Sequence, residues 1–160
     1  MTSAVTANVD IRRRVGRAWR QMRRGASMIR VREMFYSEGG EPLDLALADA
    51  LSLICQQGPL RMGALAEAMH ITPASTTRAV GCLVEKGLVE RVRDEEDQRS
   101  IVVTATMAGR ERYGEISSRV QQGLSEILSE FSPEEQVQLA EYLERFVQAV
   151  DKLAQSGDSE

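Results

Sequence analysis

Read for apolar and polar positions, the chain predicts six helical stretches and one pair of short strands. From Asp10 to about Phe35, Ile11, Val15, Ala18, Trp19, Met22, Ala26, Ile29 and Met34 recur at helical spacing, with arginines between them. After Asp44, which can cap a helix, Leu45, Leu47, Ala48, Leu51, Leu53, Ile54 and Cys55 cover most of a helix's girth. Such an element belongs at the centre of a fold. Gln56-Gln57-Gly58-Pro59 ends it, and Leu60 to Met62 leaves room for a token strand only.

A short helix from Gly63 carries Leu65, Ala66 and Met69 inward, and His70-Ile71 turns the chain. The next helix starts at once. Thr72 can cap it, and Pro73 suits its first turn because it has no N–H to leave unpaired. Its apolar side runs through Val80, Leu83 and Val84 to a stop at Gly87, and Thr76 is expected to turn inward with it. Leu88–Arg93 and Ser100–Thr104 then alternate as strands, with Asp94 to Arg99 as their hairpin connection. Thr106 can cap a helix carrying Ile116, Val120, Leu124, Ile127 and Leu128 to about Glu130. Its three glycines, Gly109, Gly114 and Gly123, make it depend on packing. Ser132-Pro133-Glu134-Glu135 is a capping box with proline at the first position. It opens a last helix through Val137, Ala140, Leu143, Phe146, Val147, Val150 and Leu153.

Two short helices joined by a tight turn are the ingredients of a helix-turn-helix, and a hairpin directly after the second helix is a wing. The expected fold is therefore mainly α: a winged helix-turn-helix at 43–104 with a small β-hairpin wing. Long dimerisation helices flank it, N-terminal at 10–36 and C-terminal at 105–154. Residues 1–9 and 155–160 are small and polar and are expected to lack order, and Ser37 to Pro42 is a loop on composition. A winged domain has its own small core, so the long outer helices are left with apolar faces that a second copy would bury.

Composition narrows the function more than the fold. Cys55 and Cys82 lie at no metal-ligand spacing and His70 is the only histidine, so neither a metal site nor a His-dependent triad is expected. No nucleophile–base pair and no phosphate-cradling glycine loop is visible, which argues against an enzyme and against a bound cofactor. No apolar run suggests a signal peptide or a membrane span, and the reading is a cytoplasmic protein without a membrane partner. The net charge is −4, but its distribution matters more. Residues 10–33 hold nine arginines against Asp10 and Glu33, a balance of +7, whereas residues 105–160 balance at −6. Residues 59–104 balance at −1, so DNA binding through this segment must rest on the placement of a few cations. The arginines of 10–33 read either as a solvated, salt-bridged face or as a nucleic-acid arm, and the apolar stripe among them favours the former.

The start of the Thr72 helix presents Thr72, Ala74, Ser75, Thr77 and Arg78, a small hydroxyl-rich surface ending in a guanidinium. Such a surface can enter a groove, and Arg78 can pair bidentately with guanine or else bridge to phosphate or to Asp97. At the hairpin tip Arg99 is the candidate for minor-groove insertion, and Asp97 either orients an arginine, braces the wing or is an ordinary turn residue. Arg93 and Arg61 are secondary phosphate candidates.

With these residues in place, the sequence resembles the MarR family of bacterial transcriptional regulators over roughly Leu43 to Gly109. The resemblance rests on Gly58-Pro59-Leu60, Leu65-Ala66-Glu67-Ala68-Met69, Ser75-Thr76-Thr77-Arg78-Ala79-Val80 and Leu83. It continues through Gly87-Leu88-Val89, Arg91, Asp97-Gln98-Arg99, and Thr106 with Gly109. It implies a homodimer with intertwined terminal helices that binds a pseudo-palindromic operator in double-stranded DNA, usually as a repressor. It further implies release by a small, often aromatic, effector held between the dimer helices and the DNA-binding lobe. Trp19, Met22, Tyr36, Leu47 and Leu51 either line such a pocket or belong to the dimer or domain core, the second being the plainer reading. The family's oxidant sensing through a first-helix cysteine does not transfer, because that helix has no cysteine. Three departures stand out: acidic Asp94, Glu95 and Glu96 with Gln98 on the wing, Cys82 on the recognition helix, and Gly39-Gly40 with Pro42 between the first helices. The acidic wing tip also motivates a rival reading, a winged-helix protein-interaction module without sequence-specific DNA binding.

Overall fold

The computed structural model describes residues 2–37, 43–94, 97 and 99–157. Among the described residues, seven helices and three strands follow one another as α1 (Thr2–Arg24), α2 (Ala26–Ser37), α3 (Leu45–Gln57), β1 (Leu60–Arg61), α4 (Met62–Met69), α5 (Pro73–Glu85), β2 (Val89–Arg93), β3 (Ile101–Ala105), α6 (Met107–Leu128) and α7 (Pro133–Gly157). The chain forms two compact units, residues 1–118 and 119–160.

Local chemistry sets most of these boundaries. Asp44 caps α3 by accepting the Leu47 N–H at 2.9 Å, and Gly58 closes it at φ +83°. His70, in the left-handed region at φ 52°, ends α4. Around it the Ile71 N–H reaches back to the Ala66 carbonyl, the reversed turn that satisfies a helix's last acceptors. In the second unit Ser132 and Glu135 exchange hydrogen bonds, Ser132 N to Glu135 Oε2 at 2.9 Å and Glu135 N to Ser132 Oγ at 3.3 Å. The capping box read from the sequence is formed.

The core of the first unit lies where α3, α4 and α5 pack together and against the sheet. Leu51, Ile54, Leu65, Val80, Leu83, Val89 and Val103 are fully buried there. The sheet is antiparallel in the order β1-β3-β2, with Leu60 opposite Val103 and Arg91 opposite the same residue on the other side. The token strand predicted at Leu60–Met62 thus completes a three-stranded wing base.

Three expectations are corrected. The single helix predicted over 10–36 is two helices, broken at Gly25. There the backbone passes so close to the Gln21 carbonyl that a Cβ would collide with it, so only glycine fits. Residues 2–9, expected to lack order, are the first turns of α1, because an established helix extends at the small cost of one residue fixed per hydrogen bond. At the other end α7 continues to Gly157, past the expected end at 154, while 158–160 lie outside the described residues. Of the loop predicted over Ser37 to Pro42, Ser37 ends α2, and 38–42 lie outside the described residues, as do Glu95, Glu96 and Gln98.

Candidate nucleic-acid interface

The α5 N-terminus is built by its own hydroxyls. Thr72 Oγ1 accepts the Ser75 N–H at 3.2 Å and lies 3.0 Å from Ser75 Oγ. Thr76 is wholly buried and spends its proton on the Thr72 carbonyl at 3.1 Å. Thr77, on the exposed side, donates to the Pro73 carbonyl at 2.9 Å. Thr77 therefore faces outward with lone pairs, which suit donor groups such as the exocyclic amines of cytosine and adenine, while one hydroxyl of the Thr72–Ser75 pair keeps a proton to donate. Ala74 is exposed beside them. Arg78, also exposed, makes no hydrogen bond or ion pair among the described residues and adds charged donors to this surface. The helix dipole adds a preference for phosphate at this end.

The wing tip is braced by Asp97. Its Oδ2 accepts the Ser100 hydroxyl at 2.6 Å, its Oδ1 accepts the Arg99 N–H at 3.1 Å, and its carbonyl accepts the Ser100 N–H at 2.8 Å. The Ser100 hydroxyl and the Arg99 N–H hold the Asp97 carboxyl below the ordinary carboxylate value. Of the roles open in the sequence, bracing is the one these bonds describe. Among the described residues the cation paired with it is Arg61, 3.7 Å away, and not Arg78. Arg61 is held by Asp94, with Nε at 3.2 Å and Nη2 at 2.9 Å from one carboxylate oxygen, so this secondary phosphate candidate is engaged within the protein. Arg93 ends β2 and Arg99 follows the tip, both exposed. All eight residues read from the sequence as DNA contacts lie on two features, the start of α5 and the wing.

The five pocket candidates differ in burial. Leu47 and Leu51 are core residues of α3, and Trp19 and Met22 are exposed on α1. Tyr36 lines a cavity of about 380 Å³ with Ile29, Arg32, Leu43, Asp44 and Leu45 among its walls. Burial pushes the Tyr36 phenol up, Asp49 adds to the shift and Arg32 opposes it. Burial likewise raises the Cys55 thiol, and Arg110 opposes the shift. Among the described residues no group of three or more His, Cys, Asp or Glu side chains could hold a metal ion, and no helix is long and apolar enough to cross a membrane.

The sequence reading missed Arg112. It is 7% exposed and donates to the Tyr36 carbonyl at 3.1 Å and to Glu115 at 3.0 Å. Its position four residues before the buried Ile116 placed a cation on an inward face, which was the available signal.

A hydroxyl-lined helix start with a protruding arginine, followed by a braced wing, defines a winged helix-turn-helix DNA-binding protein. The family profile for MarR matches residues 44–101. A MarR-like transcriptional regulator of Thermotoga maritima is 31% identical, with 68% of this chain and 77% of that one aligned and a TM-score of 0.59. The HTH-type transcriptional repressor MdtR of Bacillus subtilis is 25% identical over 119 residues, 74% of this chain and 75% of MdtR. FabT of Streptococcus pneumoniae, solved in complex with DNA, shares the fold at a TM-score of 0.76 and 18% identity, covering 88% of this chain and 98% of FabT. The chain belongs to the MarR family. It is a helix-turn-helix regulator of transcription, a role without catalysis.

Proposed function

We propose that the protein is a cytoplasmic, homodimeric repressor of a pseudo-palindromic operator, released by a small aromatic ligand. The observation that carries the reading is the outward face of α5. Its cap and turn bonds are satisfied internally, while Arg78 and the Thr77 and Ser75 oxygens remain directed to solvent. In this reading Arg78 and the Thr72–Thr77 surface enter the major groove and Arg99 enters the adjacent minor groove. Arg93 meets phosphate, and Asp97 holds the tip that presents Arg99. MdtR, named a repressor, and FabT, solved on DNA, support the direction of the proposal.

The second copy is supported by the apolar residues that α7 leaves exposed, among them Leu143, Val147, Val150 and Leu153. The opposite charge of residues 10–33 and 105–160 would favour pairing of unlike ends across that interface, each exposed pair adding only ~0–1 kcal/mol. The ligand would occupy the cavity at Tyr36 and Leu43, where an aromatic ring can stack and a phenol can hydrogen-bond.

The test is selection of bound DNA from a random pool, followed by affinity against salt for the enriched sequence. The expected result is a twofold-related site whose affinity falls steeply with salt, because released counterions accompany phosphate contacts. A pool that enriches no inverted repeat, with no measurable affinity even at low salt, would favour the protein-interaction module instead.

A further inference from the structure

The first two turns of α6 tie together parts of the first unit that are distant in the chain. The Thr106 hydroxyl donates to the Gly87 carbonyl at 2.7 Å and also lies 3.2 Å from that of Leu88, to which the Thr106 N–H donates at 3.1 Å. The same hydroxyl accepts the Gly109 N–H at 3.0 Å. Gly109 passes so close to the Leu88 carbonyl that any side chain there would collide with it. Gly87 and Leu88 are the exit of α5, so α6 is bonded to the end of the recognition helix.

One turn further on, Arg112 reaches the end of α2. Its guanidinium donates to the Tyr36 carbonyl, which also accepts the Leu43 N–H at 3.3 Å. Tyr113, beside it, accepts a hydrogen bond from Gln56 of α3 at 2.9 Å. A buried guanidinium is an expensive way to fill an inward position, since an apolar residue would avoid the cost of desolvating a charge. What it adds is direction, because its planar fork fixes where its partners lie.

We infer that Arg112, together with Thr106 and Gly109, is a positioning joint that sets the direction in which α5 is presented from α6. The joint thereby sets the separation at which two half-sites are read. The inference rests on the twofold reading proposed above. Because α5 leaves through Gly87 and Leu88, a change in the seating of α6 carries the recognition helix with it as a body. Tyr36 and Leu43 also line the cavity, so an occupant there meets the same joint.

The test is a series of duplexes bearing one pair of half-sites whose separation is changed one base pair at a time. Affinities are measured for the full chain and for Arg112→Gln, Arg112→Lys and Thr106→Val. The wild type should show a sharp optimum at about one helical turn, ~10 bp between centres. Arg112→Gln should flatten or displace that optimum while binding to an isolated half-site stays near the wild type's. Lysine, which keeps a donor, should recover part of the profile. Thr106→Val, which loosens the other end of the joint, should shift it as well, and it carries the test if Arg112→Gln does not fold. An unchanged profile, or an equal loss at every separation, would reduce Arg112 to a stabilising residue and overturn the inference alone. A wild type without any optimum would overturn the twofold reading and the inference together.

Discussion

In α5 the apolar positions Val80 and Leu83 are fully buried, whereas in α7 Leu143, Val147 and Leu153, spaced as regularly, are 50%, 57% and 74% exposed. Both helices carry the same kind of periodic sequence. α5 finds its covering surface within the chain, against α3, α4 and β2. α7 does not find one among the described residues. A periodic apolar stripe thus states that a face must be covered and leaves open by what. The short helices of the winged segment are covered by neighbours close in sequence, and the long terminal one awaits a second surface.

The comparison is broken most forcefully by substitution in each helix. Leu83→Ala should cost about 2–5 kcal/mol, because the fully buried site cannot collapse around the lost atoms. Thermal melting should register this as a loss of roughly ten degrees for a chain of this size. Val147→Asp should leave that melting transition of the first unit nearly intact and instead shift the sedimentation coefficient to that of a monomer at micromolar concentration. A Val147→Asp chain that unfolds like Leu83→Ala would mean that the α7 face belongs to the chain's own core.

Next in size are the effects on DNA. Arg78→Ala should relax the preferred sequence within each half-site by ~1–3 kcal/mol, the worth of a bidentate base contact. Arg99→Ala should weaken binding across sequences and lower the salt dependence by about one counterion. Random-pool selection with each variant separates the two effects, and identical enrichment by both would cancel the division of labour between helix and wing.

The smallest effect expected belongs to Asp97. Its folded-state value is depressed, so its contribution to the wing is present above the unfolded carboxylate range and is lost as pH falls through the lower folded value. The tip should therefore keep its bracing at neutral and mildly acidic pH. Titration followed by NMR should place the Asp97 carboxyl below 3.8, and Asp97→Asn should weaken DNA binding less than Arg99→Ala does. A value at or above 3.8 would show that the Ser100 and Arg99 bonds do not hold in solution.

Features that depend on neighbours in sequence were legible before any coordinates. Thr72 with Pro73, Asp44, and the Ser132–Glu135 box each act within one turn, so residue type and spacing determine the hydrogen bonds. The break at Gly25 was not legible, because a glycine inside a helical pattern is tolerated and only the backbone geometry shows the close approach to Gln21. Arg112 was half legible. Its inward position could be read from Ile116, but its partner is a backbone carbonyl 76 residues away, and every residue has one. The choice between pocket and core for the pocket candidates was open for a related reason. Leu47 and Leu51 share the apolar character of a ligand wall, and character alone does not separate a wall from a core.

The most direct measurement is a hydroxyl-radical footprint of the full chain on its selected DNA. The proposed dimer requires two protected clusters on each strand, related by a twofold axis and about one helical turn apart, ~10 bp between centres. A single cluster without a twofold mate would contradict it.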